Sequence, residues 1–269
     1  MPGSSLGVVC VVLALAGCQR MEARGLVKEG NSLYKAGKYE EALQRYEAAA
    51  RLDPDFPTLQ LNAGYAGLAA SSSHRPPVSE QFARRAATAF ERYTRLRPGD
   101  ERGPKFYLQA LLDGGRLEEA YRFLQEQHRR SPRDLKTVAS LGVVSSKLGR
   151  FAESLKWYEL RSRLRPDDAE ARYVVGTAVW EHLYKNSTVA AAERLALADR
   201  GIAALRRAAE LRPPYGEALT YVNLLYRERA KGQSDAAARE RDLAEARRYY
   251  EQAMAAFKRT ARAAKEGGR

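Results

Sequence analysis

The sequence predicts an all-α protein, an α-solenoid of about six stacked helical hairpins, and three spacings predict it. Pro98, Pro132 and Pro166 stand 34 residues apart, the length of a two-helix repeat unit. Twelve residues before Pro54, Pro98, Pro132, Pro166 and Pro213 comes a small residue: Ala42, Ala86, Ala120, Ser154 and Gly201. Eight residues before the same prolines comes a large apolar one: Tyr46, Phe90, Leu124, Tyr158 and Leu205. A single hairpin cannot bury its own apolar surface, so copies at this period must stack.

Residues 23–56 set the pattern. Two antiparallel helices close to about 8–10 Å only where facing residues are small, which Gly30 and Ala42 allow. Tyr46 and Leu52 fill the remaining space, Gly37 supplies a left-handed residue after the first helix, and Pro54 stops the second. With Tyr39 and Ala49, these residues resemble a tetratricopeptide repeat, and the resemblance extends over almost everything after residue 22. It implies a right-handed solenoid in which first helices line a concave groove and second helices the convex side.

The remaining repeats follow at about 57–100, 101–134, 135–168, 169–214 and 215–260. The third and fourth have standard length, with Gly115 and Gly149 at their turns. The second carries extra residues at Ser71–Glu80, where Pro76 and Pro77 exclude helix and Ser79 is the expected cap. The fifth carries an insertion from Tyr184 to Ala196, with Ser187 or Thr188 as the expected cap and a lengthened second helix. The sixth lacks the proline but keeps Ala218, Leu219, Tyr226, Ala246, Tyr250 and Ala253, and turns through Gly232 with Ser234 as its cap. Its last helix should run over 235–262, with 263–269 frayed. All three insertions are expected on one edge.

Leu6–Ala16 is an apolar run of signal-peptide length, too short to span a bilayer, and it ends in Leu15-Ala16-Gly17-Cys18. This resembles a bacterial lipobox. The resemblance implies removal of 1–17, acylation of Cys18, a short linker over 18–22 and the membrane as a partner through Cys18. With Gln19 next, it implies the outer membrane, facing the periplasm. Residues 1–19 contain no Lys or Arg, a departure from the basic start of such signals, so either the true start lies upstream or the export signal is weak. The other cysteine, Cys10, would be discarded, leaving no free thiol in the mature chain.

The formal net charge of +13 bears on solubility and anionic partners and says nothing about fold. The basic residues are scattered over many helix faces and export would separate the chain from nucleic acid, so a nucleic-acid or anionic-polymer binder is the alternative reading. No catalytic residue, metal site or cofactor is expected. His74, His128 and His182 lie in different repeats, beside charged residues and without a second ligand at metal spacing, which reads as solvated side chains. Glu40-Glu41 and Glu118-Glu119 start second helices, where they complement the helix dipole.

The groove that the resemblance implies would carry Arg24, Lys28, Asn31 and Tyr34 in the first repeat, Asn62 and Tyr65 in the second, and Arg102, Lys105 and Phe106 in the third. Tyr173 and Trp180 follow in the fifth and Tyr221, with Arg227, in the sixth. Each ring can equally pack between neighbouring first helices. Asn31, Asn62 and Arg102 fill three of the five places of a chaperone-tail clamp, but Val27 and Phe106 stand where that clamp needs positive charge. The expected function is a noncatalytic, lipid-anchored envelope scaffold binding a protein or peptide that bears acidic residues.

Overall fold

Every closing proline ends a helix two residues ahead of itself. The computed structural model describes the backbone of residues 5–267 and the side chains of residues 19–266. It contains α1 (Ser5–Lys35), α2 (Tyr39–Leu52), α3 (Pro57–Ser72), α4 (Val78–Leu96), α5 (Arg102–Asp113) and α6 (Leu117–Arg130). Then come α7 (Leu135–Lys147), α8 (Phe151–Leu164), α9 (Ala169–Lys185), α10 (Ala191–Leu211), α11 (Gly216–Gly232) and α12 (Ala236–Gly267). Among the described residues there is no strand, and the fold is an all-α solenoid of helical hairpins.

The residue before a proline is pushed out of the helical region, and that is where the second helices stop. Asp53, Arg97, Arg165 and Arg212 cap α2, α4, α8 and α10 with φ of −139°, −137°, −134° and −135°. Each still donates its backbone N–H to the carbonyl four residues back.

The chain divides into two compact units, Met1–Phe123 and Leu124–Arg269. The first has a core of Ala23, Ala42, Leu43, Tyr46, Leu59 and Phe82 with their neighbours. In it the ring of Tyr46 fills the hollow left by Gly30, and the ring of Phe90 that left by Gly64. A Cβ on either glycine would come within 2.6 or 2.5 Å of the ring. A Cβ on Gly67 would come within 2.9 Å of Ala86. The first and second helices thus approach through paired small residues, with the large residue of one seated over a glycine of the other.

The second unit repeats this device. Tyr158 sits over Gly142, and Leu205 over Gly176. Its core joins Val175, Val179, Leu183, Leu205, Val222 and Leu225.

Turn chemistry follows expectation in the standard repeats and departs from it in the long ones. Gly37, Gly115 and Gly149 have φ of 75°, 69° and 73°. The residue after each donates its N–H to the carbonyl five back, closing the turn by backbone alone.

Of the extra residues of the second repeat, 73–77 form the connection, with Pro76 and Pro77 outside helix as expected, and the rest extend the two helices. This gives α3 16 and α4 19 residues, and α4 starts at Val78 after Pro77, with no cap from Ser79. Likewise α10 has 21 residues and starts at Ala191, so Ser187 and Thr188 do not cap it. The cap of α12 is Asp235, not Ser234: its carboxylate accepts from the N–H groups of Ala237 (3.2 Å) and Ala238 (2.9 Å). Two further expectations are corrected. Residues 18–22 are part of α1 rather than a linker, and α12 remains helical to Gly267 instead of fraying from 263.

Candidate functional site

In the first unit, the i, i+3 spacing of Asn31 and Tyr34 on α1, and of Asn62 and Tyr65 on α3, puts each pair on one helix face. The structure brings all four together. The Tyr46 hydroxyl donates to Asn31 Oδ1 at 2.7 Å, and Asn62 Nδ2 donates to the same oxygen at 3.0 Å. With Lys35 they line a pocket of about 170 Å³. Burial, reinforced by Tyr34, pushes the Tyr46 phenol up to about 12, so it stays a neutral donor.

Two of the proposed groove rings are packing rings. Tyr65 meets Phe90 and Phe106 edge-on at 5.6 and 5.0 Å, and Phe90 stacks on Phe106 at 5.5 Å. The half-buried Tyr65 and Phe106 therefore tie α3 and α5 to α4. Arg102 is not free to meet a partner either. Its guanidinium is folded onto Asp100 at 2.6 Å and onto the Tyr93 hydroxyl at 3.1 Å, which holds the Asp100 carboxyl well below the usual range. The i−2 carboxylate was the signal that this cation is already paired. Lys105 lies over the Phe106 ring at 5.2 Å, while Arg24 and Lys28 are exposed on α1.

In the second unit Tyr173, Trp180 and Tyr221 form one aromatic strip, with two rings that the groove assignment lacked. Tyr173 stacks on Tyr215 (5.3 Å) and meets Tyr221 (5.6 Å). Trp180 meets Tyr221 (5.2 Å) and stacks on Tyr184 (5.0 Å). Burial pushes Tyr173 and Tyr215 up to about 12. Tyr184 stood in plain view at i+4 from Trp180, but it had been counted in the insertion. It is 65% exposed.

Beside this strip Trp180, Tyr184, Leu224 and Leu243 wall a cleft of about 650 Å³, rimmed by Arg227, Lys231 and Arg239. Its one carboxylate, Glu228, is buried and already held by Arg194 and Lys231, both at 2.6 Å. Arg227 reaches only the Asn223 side-chain oxygen (3.4 Å), and Arg239 only the Gln233 carbonyl (2.8 Å). Two guanidinium groups thus face the cleft without a carboxylate partner among the described residues.

Arg194 itself belongs to the insertion of the fifth repeat. It is 4% exposed, and besides Glu228 it donates to the carbonyls of Leu183 (3.2 Å), Asn186 (2.9 Å) and Ser187 (3.3 Å). Leu183 lies in the last turn of α9, where carbonyls lack helical donors, and Asn186 and Ser187 lie in the connection that follows it.

His74 remains exposed, whereas His128 and His182 are half-buried and packed rather than solvated. His74 accepts contact from Phe82 (5.4 Å) and pairs with Glu40 (2.6 Å), His128 meets Trp157 edge-on (5.0 Å), and His182 stacks on Phe151 at 3.6 Å. Among the described residues no group of three or more His, Cys, Asp or Glu is placed to hold a metal, and no helix is long and apolar enough to cross a membrane. The Cys18 side chain lies outside the described side chains.

A family model described as TPR repeat matches residues 30–68. Protein FlbA of Caulobacter vibrioides is 29% identical over 137 residues, which is 51% of this chain and 21% of that protein, so the chain spans about a fifth of its length. Among solved structures, the C-terminal part of a TPR repeat-containing protein from Cytophaga hutchinsonii shares the fold. It is 16% identical with a TM-score of 0.53, covering 86% of this chain and 78% of that one. YrrB, described as a TPR protein with an unusual peptide-binding site, is 20% identical with a TM-score of 0.43 over 72% of this chain and 88% of its own.

Proposed function

We propose that this chain, which carries tetratricopeptide repeats and has their fold, is a noncatalytic scaffold that binds a partner protein through a segment with acidic residues next to apolar ones. The observation that carries this reading is the cleft beside Trp180 and Tyr184. The half-buried Trp180 and the exposed Tyr184 stacked on it offer contact area at low entropic cost, and Arg227 and Arg239 offer donors that no side-chain carboxylate of the described chain satisfies. The small pocket at Asn31, Tyr34 and Asn62 supplies amide groups of the kind that pair with a peptide backbone.

A peptide-display selection on the full chain tests it. Selected sequences should be enriched in Asp or Glu beside aromatic or aliphatic residues. Trp180→Ala should weaken their binding about tenfold or more, chiefly through faster dissociation, since about 1.4 kcal/mol is tenfold. Arg227→Glu should slow association and flatten its salt dependence. Selected peptides without acidic residues, or binding untouched by either substitution, would refute the reading.

The lipobox-like run ending at Cys18 supports attachment to a bacterial envelope membrane, with the outer membrane as the favoured site. Wild-type protein should fractionate with membranes and Cys18→Ser should be released or left unprocessed. The net charge of +13 favours one other reading, an anionic-polymer binder. Binding to arbitrary DNA that falls steeply with salt would establish it in place of the peptide reading.

A further inference from the structure

We propose that the outer edge of α12 is a second docking surface, for an acidic amphipathic helix of a partner protein laid beside α12. It goes beyond the cleft just described and involves none of its residues. Within the units, a second helix is followed by a first helix packed against it: α3 on α2, α5 on α4, α9 on α8 and α11 on α10. Among the described helices α12 packs on α11, with Ala246, Tyr249, Ala253 and Ala256 buried on that side.

Turned from that buried face by about a quarter of a turn, Tyr250, Met254, Phe257 and Ala261 recur at i, i+4, i+7 and i+11. That spacing is one continuous stripe on a helix and fits the side of another helix. Tyr250 is 53% exposed and Phe257 36%. The Phe257 ring also lies over the start of α11, where a Cβ on Gly216 would come within 2.6 Å of it. The stripe therefore runs along one side of α12 and meets the start of α11 at Phe257, a line that suits a helix laid beside α12.

Charge selects the occupant. From Tyr249 onward Lys258, Arg259 and Lys265 have no carboxylate partner among the described residues, and Arg262 pairs with Glu266. Against them stands one unpaired carboxylate, Glu251. A second copy of this chain is disfavoured, because α12 against α12 sets these cations facing each other. Laying α1 of another copy there would add Arg20, Arg24 and Lys28. A helix with a leucine-type stripe and glutamates along its flank complements both features.

The test uses the full chain and two fluorescein-labelled synthetic helices with the same leucine stripe, one flanked by Glu and the other by Lys. The Glu-flanked helix should bind at least tenfold tighter. Tyr250→Ser and Phe257→Ser should each weaken it at least fivefold with helix content unchanged, while Trp180→Ala leaves it alone. The double variant K258E/K265E should remove the preference for Glu.

Equal binding of both peptides, or binding indifferent to Tyr250 and Phe257, would overturn the proposal. Two other results would overturn it in favour of another occupant. One is concentration-dependent self-association that Tyr250→Ser abolishes; the other is binding to phosphatidylglycerol vesicles that Phe257→Ser abolishes. Because Trp180→Ala reports on the cleft alone, failure here and failure of the peptide reading are separable.

Discussion

The turn at Gly149 and the turn held by Arg194 both join the two helices of a hairpin in the second unit, and they close by opposite means. Between α7 and α8 the backbone does everything. Gly149 takes φ of 73° and donates to the Ser146 carbonyl, and Arg150 donates its N–H to that of Ser145, both at 2.9 Å. Between α9 and α10 the connection is longer, and no backbone residue takes a left-handed conformation. There a guanidinium from the first turn of α10 gathers carbonyls from the end of α9 and the connection after it, and anchors itself on Glu228 of α11.

The first device is self-contained but confined to a short connection. The second admits extra residues, and in return it makes the fifth hairpin depend on the sixth. Beside it a second network repeats the principle: Arg229 bridges Asp199 of α10 and the buried Asp242 of α12, and Gln233 donates to the same Asp242. Longer helices bring polar ends inside the protein, and those ends require partners.

Breaking the side-chain closure should have the largest effect. Arg194→Met removes the guanidinium donor from three carbonyls and leaves Glu228 with Lys231 alone, so denaturant unfolding should show a loss of about 3–5 kcal/mol. Hydrogen exchange should rise at the end of α9 and in α11 while α3 is unaffected. Adding Glu228→Leu should recover part of the loss, because both buried charges then leave together. Simple additivity of the two substitutions would mean they do not act as a pair.

Next in size is the close approach that the standard hairpins share. Gly30→Ala drives a methyl into the Tyr46 ring, and Ala42→Leu overfills the core of the same hairpin, each at about 1–3 kcal/mol in the first unit. A neutral result for both would show that this hairpin relaxes where it is assigned to be tight.

Smaller again is the backbone closure itself. Gly149→Ala should cost about 1–2 kcal/mol by placing a Cβ at positive φ, and Gly149→Asn less, since asparagine tolerates that conformation. Space is not the issue there, because nothing lies within 4 Å of the added methyl. A Gly149→Asn variant less stable than Gly149→Ala would contradict the conformational account.

The smallest effect is one of pH. Burial against Phe151 holds the His182 imidazole below its ordinary value of 6.5. The folded chain then binds the proton less readily than the unfolded one. Stability attributable to this group is complete above that ordinary value and declines as pH falls through it towards the lower folded value. His182→Phe keeps the stack and should flatten that part of the stability profile between pH 7.5 and 5.5. An unchanged slope would place the titration elsewhere.

The candidate site was legible in part, for a reason that shows at individual residues. Tyr173, Trp180 and Tyr221 could be placed because first-helix positions recur with the repeat. Tyr184 and Tyr215 could not, since one was assigned to an insertion and the other follows a pair of prolines. Arg102 was misread in a different way: its position was right, but Asp100 and Tyr93 already hold it. Periodicity says which way a side chain points and is silent on whether its charge is paired.

By itself the sequence determined the helical-hairpin class, the five helix ends that precede prolines, the three glycine turns and the small-against-large contacts. All of these rest on φ restrictions, steric volume and a repeat of fixed length, which act locally or recur at known offsets. Only the tertiary structure decided where the extra residues went, which side chain capped α12, and that Arg194 meets a carboxylate 34 residues away. Those outcomes depend on desolvation. Whether a charge lies inside, and what must then satisfy it, is set by elements far along the chain that become neighbours only once the hairpins stack.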